Sequence, residues 1–193
     1  MPKNETEIKL SVANVREIKR RLAGLRFVIR ERRHLERNFL FDFPDLRLRK
    51  SGSVIRLRHE GKRNVLTFKG APIQSRNYKI RREIETVIAD AGPMREILES
   101  VGLRETFSYE KFRTTYASNR KSETLSGGLV MFDETPIGNF LELEGPKRWI
   151  DEVARRLGFR RPDYILASYV SLYLAHCLEE GKKPGNMVFA SLK

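Results

Sequence analysis

Pairs of like charge stand two residues apart at several places in this chain. Glu5/Glu7, Glu83/Glu85 and Glu142/Glu144 are acidic; Arg56/Arg58, Lys79/Arg81 and Lys111/Arg113 are basic. In a strand, residues i and i+2 share one face, about 7 Å apart. The opposite strand faces are apolar, with Ile55/Leu57, Leu66/Phe68, Ile84 and Leu141/Leu143. A half-buried antiparallel sheet carries charge on its wet face, and cross-strand Glu–Arg pairs would stabilise it modestly. Repeated like-charge pairs of both signs ask for more, because each pair repels itself without a counterion. Carboxylates hold hard divalent cations, and guanidinium and ammonium groups hold phosphate oxygens. Closing the sheet would set both groups around one lumen, where a metal–polyphosphate complex neutralises them together.

Strands must position these pairs, and the alternation predicts about eight. They cover Glu5–Leu10, Asn38–Asp42, Val54–Arg58, Asn64–Gly70, the stretch from Lys79 to Ile88, a segment carrying Lys111 and Arg113, Leu129–Asp133 and Phe140–Glu144. Turns are expected at Ser51-Gly52, at Glu60-Gly61-Lys62 and near Thr135-Pro136, and loops over 71–77 and 117–128. Ser11 is placed to cap a helix with Val12, Val15, Ile18, Leu22 and Leu25 as its apolar stripe. Further helices are expected from Asp90 to Gly102, around Ile150–Leu157, and from Tyr164 to Leu178. Three times a Glu-x-Glu strand leads to a helix ending in Gly, an apolar residue and Arg: at Gly24, Gly102 and Gly158. Each Gly is expected to be a helix C-cap. Many short strands plus a few helices, with no continuous apolar strand, predict an α+β fold with an antiparallel sheet.

The chain of 193 residues carries a net charge of +13, with 40% hydrophobic and 33% charged residues. That is enough for one domain with a core, placed at 1–178, and excludes a disordered tail protein or a collagen-like chain. The Gly/Lys/Pro-rich tail, 179–193, is expected to be mobile. The single cysteine, Cys177, cannot form an internal bridge and is expected to pack in its helix. No membrane span or apolar leader is evident, and a cytoplasmic protein is expected. The positive excess predicts a polyanionic partner. Arg16 to Arg37 is strongly basic, yet aromatics do not interleave with the charges as a base-stacking platform requires. Zinc-finger and Gly-rich phosphate-loop spacings are absent, and His34, His59 and His176 are dispersed. A primary nucleic-acid role is therefore disfavoured.

The ordered set resembles a known family, the CYTH superfamily of triphosphate tunnel metalloenzymes. Glu5-x-Glu7-x-Lys9 near the N-terminus is similar to its signature. Asn38–Asp42, Arg56-Leu57-Arg58, Leu66-Thr67-Phe68-Lys69-Gly70, Arg82–Glu85, Lys111-Phe112-Arg113, Asp133, Leu141–Glu144 and Ser168-Tyr169 follow in order. The resemblance implies an eight-stranded antiparallel closed barrel, or tunnel, with helices packed outside. It implies that Glu5, Glu7, Glu142 and Glu144 hold one or two Mg²⁺ or Mn²⁺ ions. Lys9, Arg56, Arg58, Lys69, Lys111 and Arg113 would bind the triphosphate, with Arg81 competing for a place against Lys79 and Arg82. Glu5, Glu7, Lys9, Glu85 and Asp133 are the catalytic candidates, and Glu83 is a further acidic tunnel residue.

Length and C-terminal helices resemble the class IV adenylyl cyclase and thiamine triphosphatase branches. Two chemistries share such a tunnel. A hydrolase lets water attack the terminal phosphorus, whereas a cyclase lets the ribose 3′-hydroxyl of ATP attack the α-phosphorus. A metal-dependent hydrolase of an inorganic, thiamine or nucleoside triphosphate is the favoured reading. The alternatives are a cyclase and a polyphosphate- or nucleic-acid-binding protein without turnover. The expected partner is a triphosphate-containing small molecule, with no membrane, and the chain is a monomer or homodimer. Tyr169 is expected either to anchor the core or to close a tunnel mouth.

Overall fold

The computed structural model describes residues 3–119 and 125–190. Among them eight strands follow in chain order: β1 (Lys3–Ser11), β2 (Phe27–Asp42), β3 (Val54–Glu60), β4 (Arg63–Lys69), β5 (Lys79–Ile88), β6 (Arg104–Ser118), β7 (Leu129–Thr135) and β8 (Gly138–Glu144). Neighbours pair antiparallel, and the order β1-β5-β4-β3-β2-β6-β7-β8 closes into a barrel. Five helices accompany them: α1 (Val15–Gly24), α2 (Arg47–Lys50), α3 (Ala91–Ser100), α4 (Lys147–Arg156) and α5 (Tyr169–Glu179). The expected α+β barrel is thus the observed one. No described helix is long and apolar enough to cross a membrane.

The apolar core lies outside the barrel wall, because the inward strand faces carry the charge. Ile8, Leu10, Val130, Phe132, Leu141 and Leu143 face outward and meet Ile18 and Leu22 of α1 and Ile150, Val153 and Ala154 of α4. A smaller cluster puts Leu98 of α3 and Leu103 on Phe41 and Leu57. Trp149 is 4% exposed, and its indole N–H donates to the Leu125 carbonyl at 3.0 Å. Its ring lies so close to the backbone that a Cβ on Gly128 would fall 2.5 Å from it. Glycine is required there by contact, not by backbone angle.

Several elements depart from the expectations. Asn14, not Ser11, caps α1, accepting from the Glu17 N–H. Gly102 (φ 92°) and Gly158 (φ 89°) are left-handed C-caps, but after α1 that conformation falls on Arg26 (φ 61°), two residues beyond Gly24. The basic stretch before Asn38 belongs to one long strand, β2. Register shifts between Ile29 and Glu31 and between Glu31 and His34 break its alternation. The turn at Ser51-Gly52 follows the short helix α2. The last helix begins at Tyr169 rather than Tyr164, because Ile165 pairs with Lys9 and Ser168 caps the helix. Cys177 is buried, as expected.

The described part of the tail is docked, not loose. β6 pairs with β7 only from Phe112 onward, and Met187 pairs alongside Tyr109 below that point. Met187 is fully buried, and Phe189 stacks on Phe112 with ring centroids 5.3 Å apart. Residues 120–124 of the expected 117–128 loop lie outside the described residues.

Candidate functional site

The barrel encloses a cavity of about 810 Å³ that its charged faces line. Every like-charge pair found in the sequence faces it: Glu5/Glu7, Glu83/Glu85, Glu142/Glu144, Arg56/Arg58, Lys79/Arg81 and Lys111/Arg113. Lys9 and Lys69 line it too. Strand register explains the gathering. Glu7 stands opposite Glu144 on one side and Lys79 on the other, and Lys9 opposite Glu142. Lys69 stands opposite Glu83. Of the competing cations, Lys79 and Arg81 face the cavity and Arg82 does not.

The acidic side is crowded. Glu5 is hydrogen-bonded with Glu83, and Glu83 is pushed up to about 8 by burial and by that neighbour. Glu144 is pushed up to about 7 by burial, then by the charges of Glu5 and Glu7. Burial also acts on Glu7, but Lys9 and Lys79 hold it well below the usual carboxylate range. Two lysines reach into this acidic cluster. Lys69 Nζ lies 2.7 Å from Glu5 and 3.0 Å from Glu83, and Lys79 Nζ lies 2.7 Å from Glu7. Two carboxyls raised toward neutrality mean more acid than these lysines neutralise. An all-oxygen donor set with more carboxyls than paired lysines fits a hard divalent cation such as Mg²⁺ or Mn²⁺, which would take the place of the carboxyl protons. Glu142 is engaged differently, paired with Lys9 at 2.9 Å and with Arg113.

The basic side is built around two buried acids. Asp133 is fully buried and does not line the cavity. It accepts from Lys111 (2.9 Å), from Arg113 Nε and Nη2 (2.7 and 2.6 Å), and from the Tyr169 hydroxyl (2.7 Å). The ring of Tyr169 lies 5.1 Å from both Lys9 Nζ and Lys111 Nζ. Glu36 is 1% exposed, with Lys111, Arg113 and Arg58 at 3.4, 3.7 and 3.8 Å. Arg56 reaches Thr67 and Glu85, and Arg58 Nε lies 3.1 Å from Glu60. This scaffold holds four cations toward the cavity in fixed positions, suited to phosphate oxygens.

Among the described residues, His34, Glu36 and Glu60 bring ligand atoms within 4.8 Å of one another. Three basic side chains already surround Glu36, so a divalent cation there would meet their repulsion. His34 serves a polar network, its pKa raised chiefly by hydrogen bonding to Glu36. Sequence reasoning missed Glu36, because β2 was expected to begin at Asn38. Glu36 is the next inward position once the strand is extended. Asn38 is fully buried beside them, with neither its amide N nor its O hydrogen-bonded.

Comparison with known proteins agrees with this architecture. A Methanocaldococcus jannaschii protein provisionally named an adenylate cyclase is 28% identical over 178 residues, covering 87% of this chain and 97% of its own. A Vibrio parahaemolyticus structure of the same provisional name is 16% identical with a TM-score of 0.76, covering 89% of this chain and 98% of that one. A Hippeastrum protein provisionally named an adenylyl cyclase, and described as having a dominant triphosphatase activity, is 20% identical with a TM-score of 0.62, covering 93% of this chain and 97% of that one. These two structural likenesses bear on the fold alone. The model of the CYTH domain family matches residues 3–157. That span holds all eight strands and every charged pair of the tunnel, and the chain belongs to the CYTH domain family.

Proposed function

We propose that this protein is a divalent-metal-dependent hydrolase of a triphosphate substrate, acting inside the tunnel. One observation carries the reading: a surplus of carboxyls faces a braced array of cations across a single cavity. Neither half suffices alone. Acids alone would bind a cation, and bases alone would bind an anion; together they suit a metal–triphosphate.

In this reading Glu5, Glu7 and Glu144 hold the metal, with Glu142 joining them, and Mg²⁺ or Mn²⁺ supplies charge neutralisation at the phosphate oxygens. Lys9, Arg56, Arg58, Lys69, Lys111 and Arg113 bind the phosphate chain, and Arg81 extends that set. Their positions are fixed before substrate arrives, so they stabilise developing charge with little reorganisation. Glu85, partly exposed beside Arg56, orients the attacking water and takes its proton. The water oxygen bonds to the terminal phosphorus, the bridging P–O bond breaks, and its electron pair leaves with the diphosphate. Asp133 acts as a positioning residue, because its oxygens are taken by Lys111, Arg113 and Tyr169.

A second reading, cyclisation of ATP to cyclic AMP and pyrophosphate, draws on the archaeal relative's provisional name. It uses the same metal and phosphate residues with a different phosphorus at the nucleophile. A product-resolved assay separates the two. Tripolyphosphate, thiamine triphosphate and ATP are each supplied with Mg²⁺ or Mn²⁺, and orthophosphate, pyrophosphate and cyclic AMP are quantified. Orthophosphate release is the expected result; cyclic AMP with stoichiometric pyrophosphate would replace the hydrolase by the cyclase.

A further inference from the structure

The tunnel changes character along its length. Its interior is a dense set of ion pairs, but the mouth beside α5 presents Leu40, Val54, Phe107 and Leu174. Leu40 is the inward residue that follows Asn38 on β2, and it stands opposite both Arg56 on β3 and Phe107 on β6. Arg56 therefore sits at the boundary between phosphate-binding cations and an apolar wall. Phe107 is held in place by Tyr109 and Tyr173, with ring centroids at 6.3 and 5.8 Å.

The docked tail supplies the facing side of this mouth, through Pro184, Gly185 and Asn186. It is fixed at successive points. The Ser108 N–H donates to Asn186 Oδ1 at 2.9 Å, the Met187 N–H to the Ser108 carbonyl at 3.0 Å, and the Glu110 N–H to the Met187 carbonyl at 2.9 Å. The Tyr173 hydroxyl donates to the Asn186 carbonyl at 3.3 Å. Asp42, also at this mouth, has its oxygens taken by the N–H groups of Phe43, Leu48 and Arg49. It therefore offers little to a cationic ring. An inorganic triphosphate has no group that gains from an apolar wall, whereas a flat neutral ring buries its faces there.

We propose that this mouth receives a neutral, planar organic group, and that the docked segment Pro184–Met187 makes the enzyme selective for nucleoside triphosphates over inorganic tripolyphosphate. The proposal rests on the tunnel acting on triphosphates, as argued above. Gly185 gives a clean test, since a Cβ built there meets nothing within 4 Å and its φ is ordinary. Gly185 lines the mouth, so a larger side chain there adds bulk beside it without striking the protein.

The experiment compares kcat/KM for total ATP consumption with kcat/KM for tripolyphosphate, with Mg²⁺ or Mn²⁺, in the full chain and in Gly185→Leu. ATP is expected to exceed tripolyphosphate at least tenfold in the wild type, and Gly185→Leu to lower that ratio at least fivefold. A wild-type ratio near one, or a ratio unchanged in Gly185→Leu, would overturn the proposal and leave triphosphate turnover standing. Turnover of neither substrate by the wild type would remove the functional reading and the proposal together. Should Gly185→Leu fail to melt cooperatively, Phe107→Ala is read against the same criteria.

Discussion

At the scale of residues, the site depends on an acid that does not line the cavity, Asp133. Asp133 braces Lys111 and Arg113, so Asp133→Asn leaves two buried cations short of a counterion. A loss of about 3–5 kcal/mol is expected, as for breaking a buried pair, read as a lower urea midpoint. Tyr169→Phe removes one hydrogen bond to that carboxylate, and a smaller loss of about 1.5–3 kcal/mol is expected by the same measurement. Glu7→Gln and Arg58→Ala act on function instead. Each is expected to lower kcat/KM roughly 100-fold, the scale for losing a preorganised charge, with the melting transition retained. Near-wild-type turnover in both would reject the assigned site. His34 supplies a pH test. Its folded pKa is raised, so its contribution to stability is full below the unfolded value of about 6.5 and is lost as pH rises through the raised value. Thermal melts across that window should show the wild type losing stability relative to His34→Gln; parallel curves would contradict the assigned pairing.

At the scale of elements, legibility in the sequence followed the regularity of the strands. β3, β4 and β5 alternate without interruption, so their inward charges were readable by period alone. β2 was not, because its register shifts put two outward or two inward residues in succession. Glu36 was lost with it. The helix expected from Tyr164 was shortened by a contact that no local pattern encodes, the pairing of Ile165 with Lys9. The tail was misread for a similar reason. Its composition is that of a mobile segment, but the free edge of β6 below Phe112 gives its backbone partners and a pocket for Met187. Met187→Ala is accordingly expected to cost about 2–5 kcal/mol, the range for a buried large-to-small change. An unchanged denaturation midpoint would contradict the docked tail. Gly128 makes the converse case. Gly128→Ala forces a methyl into the Trp149 ring, and a loss of about 1–3 kcal/mol is expected from overpacking.

At the scale of the whole molecule, the +13 net charge divides into two populations. Inside the tunnel, basic groups pair with acids, as the Lys69–Glu5, Lys79–Glu7 and Lys9–Glu142 pairs show. Much of the excess lies outside, where Arg32 and Arg33 on the long strand β2 are exposed and do not line the cavity. An exposed positive field draws polyanions inward, and salt screens it over about 8–10 Å. kcat/KM for a triphosphate is therefore expected to fall with ionic strength more steeply than kcat. The family and the inward charges were legible because each strand's pattern stated its own face. The proposed division of labour between a metal-holding side and a braced phosphate side was not, because the two sides arise only when the barrel closes. The most direct test follows ATP by phosphorus NMR while Mg²⁺ is titrated into metal-free protein. ADP and orthophosphate should appear in step with added metal, vanish with EDTA, and be nearly absent in Glu7→Gln. Cyclic AMP with pyrophosphate in their place, or hydrolysis that persists in EDTA, would contradict a metal-dependent triphosphate hydrolase.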